Sequence, residues 1–182
     1  YYKECLNDKT AMDAYFLYER TDGKHGIIAI ETKYTDILGT NPASNPSFAI
    51  RQATENIEIS QLLTDEGIAG ITKRDIKLSQ VYRNFLLTET VRLHEHLDDS
   101  ISIILSPKEN ISNEEDESIL RSILKDEYKY KFQSVTLESF VSALIRGFPE
   151  IDLFRRFENR YLDFERVTKL IYDAELHENS KW

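Results

Sequence analysis

The chain is 182 residues long, 41% hydrophobic, 11% aromatic and 30% charged, with a formal net charge of −9. These proportions fit an ordinary soluble globular protein with room for a proper core, so a single domain over 1–182 is expected. The acidic balance excludes loose, sequence-independent coating of DNA, which relies on cationic surface, but not a locally basic groove or one whose metal ions supply the positive charge. No apolar run approaches the roughly 18 residues needed to span a bilayer. A single cysteine, Cys5, allows no internal disulfide. With no signal-peptide pattern visible, a reducing, cytoplasmic setting is expected. Met12 is the only methionine, so a trimmed chain or a fragment is expected.

Residues 11–20, Ala-Met-Asp-Ala-Tyr-Phe-Leu-Tyr-Glu-Arg, are rich in aromatics and read as a strand. Turn chemistry follows over 21–26, with Asp22-Gly23 at its heart. The next stretch, 27–36, runs Ile-Ile-Ala-Ile-Glu-Thr-Lys-Tyr-Thr-Asp and reads as a second strand, antiparallel to the first. Ile27 and Ala29 share one face with Glu31 and Lys33, while Ile28 and Ile30 cover the other. A strand apolar on both faces is usually central in a covered sheet. Two charges at its end therefore need a partner: each other, a metal or a substrate.

Residues 37–47 hold two Asn-Pro steps and form a loop directly after the charged strand end. Phe48 to Leu63 is partly helical, and 64–70 reads as a break. Residues 74–97 form a helix on the spacing of Leu78, Val81, Tyr82, Phe85 and Leu86. Its apolar stripe is interrupted at Glu89 and resumes at Leu93. Gln80, Arg83, Asn84 and Leu87 make a second stripe on that helix. Ile101–Leu105 is a short strand stopped by Ser106-Pro107. The acidic run Glu114–Glu117 is a solvated helix start, and the helix extends to about Tyr128. A strand over 131–137, a helix through Ile145 and one or two amphipathic helices over 150–178 complete the chain. The late aromatics Tyr161 and Phe164 read as core. The class is α/β or α+β with a mixed sheet.

Asp13, Glu31 and Lys33 are neighbours if 11–36 is a hairpin. Two carboxylates can hold Mg²⁺, with waters and substrate phosphate oxygens completing the octahedron. Such an ion lowers the pKa of bound water and neutralises charge on phosphate, and a lysine beside it can orient the attacking water or stabilise the transition state. The arrangement suits phosphodiester hydrolysis.

Asp13, followed after a turn by Glu31-Thr32-Lys33, resembles the core signature of the PD-(D/E)XK nuclease superfamily, the restriction-endonuclease-like fold. Asp13-Ala14-Tyr15-Phe16 with Ile30-Glu31-Thr32-Lys33-Tyr34-Thr35 is similar to an uncharacterised bacterial PD-(D/E)XK-like subfamily. So are Gln80-Val81-Tyr82-Arg83-Asn84-Phe85-Leu86-Leu87 and the late Arg160-Tyr161-Leu162-Asp163. The resemblance implies a three-layer fold, with a mixed central sheet containing the antiparallel hairpin (11–20, 27–36) flanked by helices. It implies that Asp13, Glu31 and the Thr32 backbone carbonyl bind Mg²⁺ (or Mn²⁺), that Lys33 assists the nucleophilic water, and that Gln80, with Arg83, is auxiliary. Met12 stands where the motif has proline. The superfamily core also begins with a helix before the first strand. Only ten residues precede Ala11, so that helix is expected to be absent or truncated, with Glu4 the nearest acidic substitute.

Hairpin register tests this reading. A flush two-residue loop at Asp22-Gly23 would put Asp13 on the face away from Glu31 and Lys33. The nuclease reading requires an odd loop or a bulge; a three-residue loop Asp22-Gly23-Lys24 would set Asp13 opposite Lys33. Elsewhere, Lys73, Arg74, Lys77, Arg83 and Arg92 make 73–92 basic and could guide a phosphate backbone. His94 and His96, at i and i+2, do not share a helix face and are not read as a zinc site. Cys5 has no matching catalytic set. The expected function is Mg²⁺-dependent deoxyribonuclease activity, with DNA as substrate, no membrane partner and a possible homodimer. The rivals are a catalytically silent nuclease-fold module for nucleic-acid or protein binding, and an α/β protein of unrelated function.

Overall fold

The computed structural model describes residues 4–6, 10–34, 48–73, 80–110, 114–166 and 168–169. The expected loop over 37–47, the strand end at Thr35-Asp36, Leu78, the basic residues Arg74 and Lys77, and the tail of the last predicted helix lie outside them. So does the side chain of Lys73.

The chain divides into two compact units, Tyr1–Val135 and Thr136–Trp182. The first contains β1 (Ala14–Glu19), β2 (His25–Thr32), α1 (Phe48–Glu55), α2 (Ile57–Ser60), α3 (Asp65–Lys73), α4 (Gln80–His94), β3 (Asp99–Ser106) and α5 (Glu114–Ile123). A 3₁₀ turn over Asp126–Lys131 then leads into β4 (Phe132–Thr136). The sheet order is β1-β2-β3-β4. Strand β2 pairs antiparallel with β1 and parallel with β3, so the sheet is mixed and β2 is internal, as its two apolar faces require.

The hairpin is shorter than 11–20 and 27–36, and its loop answers the register question. Arg20 N–H donates to the Lys24 carbonyl at 2.7 Å, and Gly23 N–H donates to Arg20 at 2.9 Å. The loop proper is therefore Thr21-Asp22-Gly23, with Gly23 at φ 79°. This is the three-residue hairpin in which a type I turn ends on a left-handed glycine. The odd count is the one the site needs, but the loop lies one position earlier than Asp22-Gly23-Lys24. The paired register ends with Ala14 opposite Ile30, and Asp13 N–H also bonds Ile30 O at 3.1 Å, so Asp13 stands beside Ile30–Thr32 rather than opposite Lys33.

Two expected boundaries change for physical reasons. Residues 64–70 form the start of α3 rather than a break. Thr64 Oγ1 accepts from Gly67 N–H at 3.0 Å, Asp65 and Glu66 occupy the positive first turn, and Gly67 lets α3 approach α5, where an added Cβ would meet Ile123 at 2.8 Å. The helix expected to run to Tyr128 ends at Ile123, where Leu124 forms a β-bridge with Leu63. Of the acidic run, Glu114 and Glu115 are solvated but Asp116 is buried.

Helix α4 is the core element of this unit. Nine of its residues are buried, including Phe85 and Leu86. They pack with Ile27, Ile59, Leu63, Ile104 and Phe132 in one cluster. Tyr82 anchors the helix to α1. The Thr54 hydroxyl donates to Ile50 O at 2.8 Å, so Tyr82 is the donor in its 2.9 Å contact with Thr54.

The second unit holds α6 (Leu137–Gly147) and α7 (Asp152–Tyr161). Thr136 caps α6 through Ser139 N–H at 3.2 Å. Helix α7 buries no residue, and Tyr161 and Phe164, expected in the core, are exposed. Its aromatics pack locally instead, with Phe157 and Tyr161 ring centroids 4.9 Å apart.

Candidate active site

Strand β2 carries the charged end outward between its neighbours. Its start is pinned at His25, which accepts from Asp98 N–H and donates to Asp98 Oδ2, both at 2.9 Å. The parallel register then runs from Gly26 opposite Asp99 to Thr32 opposite Leu105. Lys33 N–H extends it by donating to Leu105 O at 2.8 Å. Both charged residues are thus held on ordered backbone.

The two charges meet first in each other. Lys33 Nζ lies 2.7 Å from Glu31 Oε1, with side-chain exposures of 12% and 6%. Gln80 Nε2, at the first turn of α4, donates to the same oxygen at 2.6 Å. Asp13 bends out of the start of β1. Its N–H bonds Ile30 O at 3.1 Å, and its Oδ2 accepts Thr32 N–H at 2.7 Å. The Asp13 carboxylate therefore takes the place of a β1 backbone acceptor and is tied to the neighbouring strand. A strand residue presents its N–H and C=O to the same side, so the Thr32 carbonyl also faces the Asp13 side. A cleft of about 510 Å³ opens beside Asp13, lined by Met12, Tyr15, Leu17, Ile27, Leu87 and Val91 among others.

Burial pushes the Glu31 carboxyl above its usual range. The contact with Lys33 opposes that shift, and the nearby Asp13 charge adds to it. The site thus contains a half-compensated carboxylate next to a second one, which a cation would relieve.

One further residue belongs to this neighbourhood. Asn84 lies one helical turn beyond Gln80 and close enough to Glu31 to lower its pKa. It is 3% exposed, yet neither Oδ1 nor Nδ2 forms a hydrogen bond of ordinary geometry among the described residues. An unsatisfied buried amide costs about 1–3 kcal/mol. The sequence signal was the four-residue spacing from Gln80, which placed Asn84 on the site-facing stripe without giving it a task.

Other expected participants are elsewhere. Arg92 is held between Glu89 at 2.8 Å and Glu58 at 3.6 Å, so it is an internal tie and not a phosphate guide. Arg83 is half-buried on α4. Glu4 pairs with His94 at 3.5 Å, at the far end of α4 from Gln80. The helical rise puts those two ends about 21 Å apart, so Glu4 does not supply a carboxylate to this site.

The donor set suits a hard divalent cation: two carboxylates on adjacent strands, a strand-end carbonyl, and space for waters and phosphate oxygens in place of an all-protein cage. Among the described residues no group of three or more His, Cys, Asp or Glu side chains is assembled.

A family model described as the PD-(D/E)XK nuclease superfamily matches residues 2–163, running across both units. The chain belongs to this superfamily, and its mixed four-stranded sheet with flanking helices is consistent with that fold. Membership suggests a nuclease with a nucleic-acid substrate, and nucleases of the superfamily generally use divalent metals. No curated protein and no solved structure matches the chain. Among the described residues no helix is long and apolar enough to cross a membrane.

Proposed function

We propose that this chain is a single nuclease-like domain that hydrolyses DNA phosphodiester bonds as a metal-dependent endonuclease. The observation that carries the reading is the Lys33–Glu31 contact of 2.7 Å at the end of an internal strand, with the Asp13 carboxylate tied at 2.7 Å to the N–H of Thr32 between them. Asp13 and Glu31, with the Thr32 carbonyl, would hold Mg²⁺ or Mn²⁺. The ion would supply charge neutralisation at the phosphate and a more acidic bound water. Lys33 orients the attacking water and faces the charge that grows on the phosphate oxygens. Gln80 holds Glu31 in place while Lys33 is so engaged. The water oxygen gives up a proton to solvent as it adds to phosphorus, the P–O bond to the leaving alcohol breaks, and the leaving oxygen takes up a proton from solvent. One site cuts one strand, so cutting both at once would need a second copy.

A silent nuclease-fold module is the second reading. It is favoured by the two donors already on Glu31 Oε1, since they compensate the carboxylate without an ion. Plasmid and single-stranded DNA incubated with Mg²⁺ or Mn²⁺ separate the two. Cleavage by the wild type and its loss in Asp13→Ala and Lys33→Ala support the endonuclease. Equal cleavage by all three removes the assigned site, and no cleavage by any of them supports the silent module.

A further inference from the structure

Buried polar side chains on α4 are otherwise provided for. Thr88 donates to Asn84 O at 2.8 Å, and Glu89 is engaged by Arg92, Lys131 and Ser100. The Asn84 amide is the exception: at 3% exposure, neither of its polar atoms makes a hydrogen bond of ordinary geometry among the described residues. It is one turn from Gln80, whose own amide holds Glu31. A leucine of nearly the same volume would leave no buried group without a partner, so an asparagine here calls for an explanation beyond packing.

Glu31 suggests what it is for. Oxygen Oε1 already accepts from Lys33 at 2.7 Å and from Gln80 at 2.6 Å, which uses both of its lone pairs. A cation shared with Asp13 must therefore take Oε2 or displace one of those donors, and either event draws the carboxylate toward the ion. A donor is then needed to hold it in the new position. We propose that Asn84 is the positioning residue for this state: its Nδ2, which makes no hydrogen bond of ordinary geometry among the described residues, closes on Glu31 as a donor once the carboxylate engages a divalent cation. This rests on the reading of Asp13 and Glu31 as metal ligands. It extends that reading by assigning Gln80 and Asn84, on successive turns of α4, to the two settings of one carboxylate.

Calorimetric titration of the full chain with Mn²⁺, alongside melting in chelator, tests the assignment. The variants are Asn84→Leu, Asn84→Ala and Asp13→Asn. The expected result is Mn²⁺ binding by the wild type that Asp13→Asn abolishes and that both Asn84 variants weaken by about tenfold or more, the scale typical of groups that orient a metal ligand. Asn84→Leu should melt no lower than the wild type in chelator, because it removes an unpaired amide; Asn84→Ala keeps the affinity comparison available if leucine does not fit. Binding that needs Asp13 but is unchanged in both Asn84 variants overturns this inference alone. No binding by the wild type, or equal binding by Asp13→Asn, overturns the metal-site reading and the inference with it.

Discussion

Gln80 donates its amide to Glu31 at 2.6 Å across 49 residues of sequence, on the same carboxylate oxygen that Lys33 approaches to 2.7 Å. The helix that forms the core of the first unit thus also sets the charged end of its internal strand. A side chain from α4 can reach that point because β2 is held on both edges, by β1 and by β3.

The balance at Glu31 is open to measurement through Lys33→Met. Without the ammonium, burial alone dominates and the folded-state pKa of Glu31 rises further. A carboxyl whose folded pKa lies above its unfolded value, near 4.3, opposes folding when ionised. The stability lost in Lys33→Met should therefore be largest at high pH, about 3–5 kcal/mol by the behaviour of broken buried pairs. It should shrink as pH falls through the folded pKa of Glu31. Urea denaturation from pH 5 to 8 reads this directly; a loss independent of pH would place the effect in packing of the lysine stem.

Glu89 sits at the opposite end of the same logic. It is 1% exposed and joins Arg92 at 2.8 Å, Lys131 at 3.2 Å and the Ser100 hydroxyl. Lys131 in turn reaches Asp99 at 3.2 Å. Removing Glu89 leaves Lys131 buried with only Asp99 as counter-charge. Glu89→Ala should cost about 3–5 kcal/mol of unfolding free energy. Chemical denaturation checks it, and a loss below about 1 kcal/mol would mean that water reaches the network.

The Cys5 thiol is pushed up to about 11, by burial first and then by Glu95 and Glu4. At pH 8 only about one molecule in a thousand carries the thiolate, which is the reactive form. Reaction with a disulfide reagent at pH 8 should be slow in the native protein and rise by orders of magnitude in denaturant. Fast native labelling would contradict the placement of Cys5.

Much of this was legible in the residues. An apolar run ending in Glu-Thr-Lys announced an internal strand with charges to be satisfied, and Asp-Gly before it announced a hairpin, whose odd loop was required by the nuclease reading and not by the turn residues themselves. The exact register was not legible, because it depends on which loop position Gly23 takes at φ 79°. Helix α3 was hidden by Gly67, which reads as a breaker but serves the close approach to Ile123. Glu89 read as an interruption of an apolar stripe, since its partners Ser100 and Lys131 come from other elements, Lys131 from far along the chain. Tyr161 and Phe164 looked like core by composition, whereas both are exposed and α7 buries no residue.

The central claim is that Asp13, Glu31 and Lys33 form one hydrolytic site. Its most direct measurement is the rate of plasmid cleavage in Mg²⁺ or Mn²⁺ by the wild type beside Asp13→Asn and Lys33→Ala, with folding verified by circular dichroism. The account predicts cleavage by the wild type and a loss of at least about 10²–10³-fold in each folded variant. Cleavage at wild-type rate by either variant would contradict it.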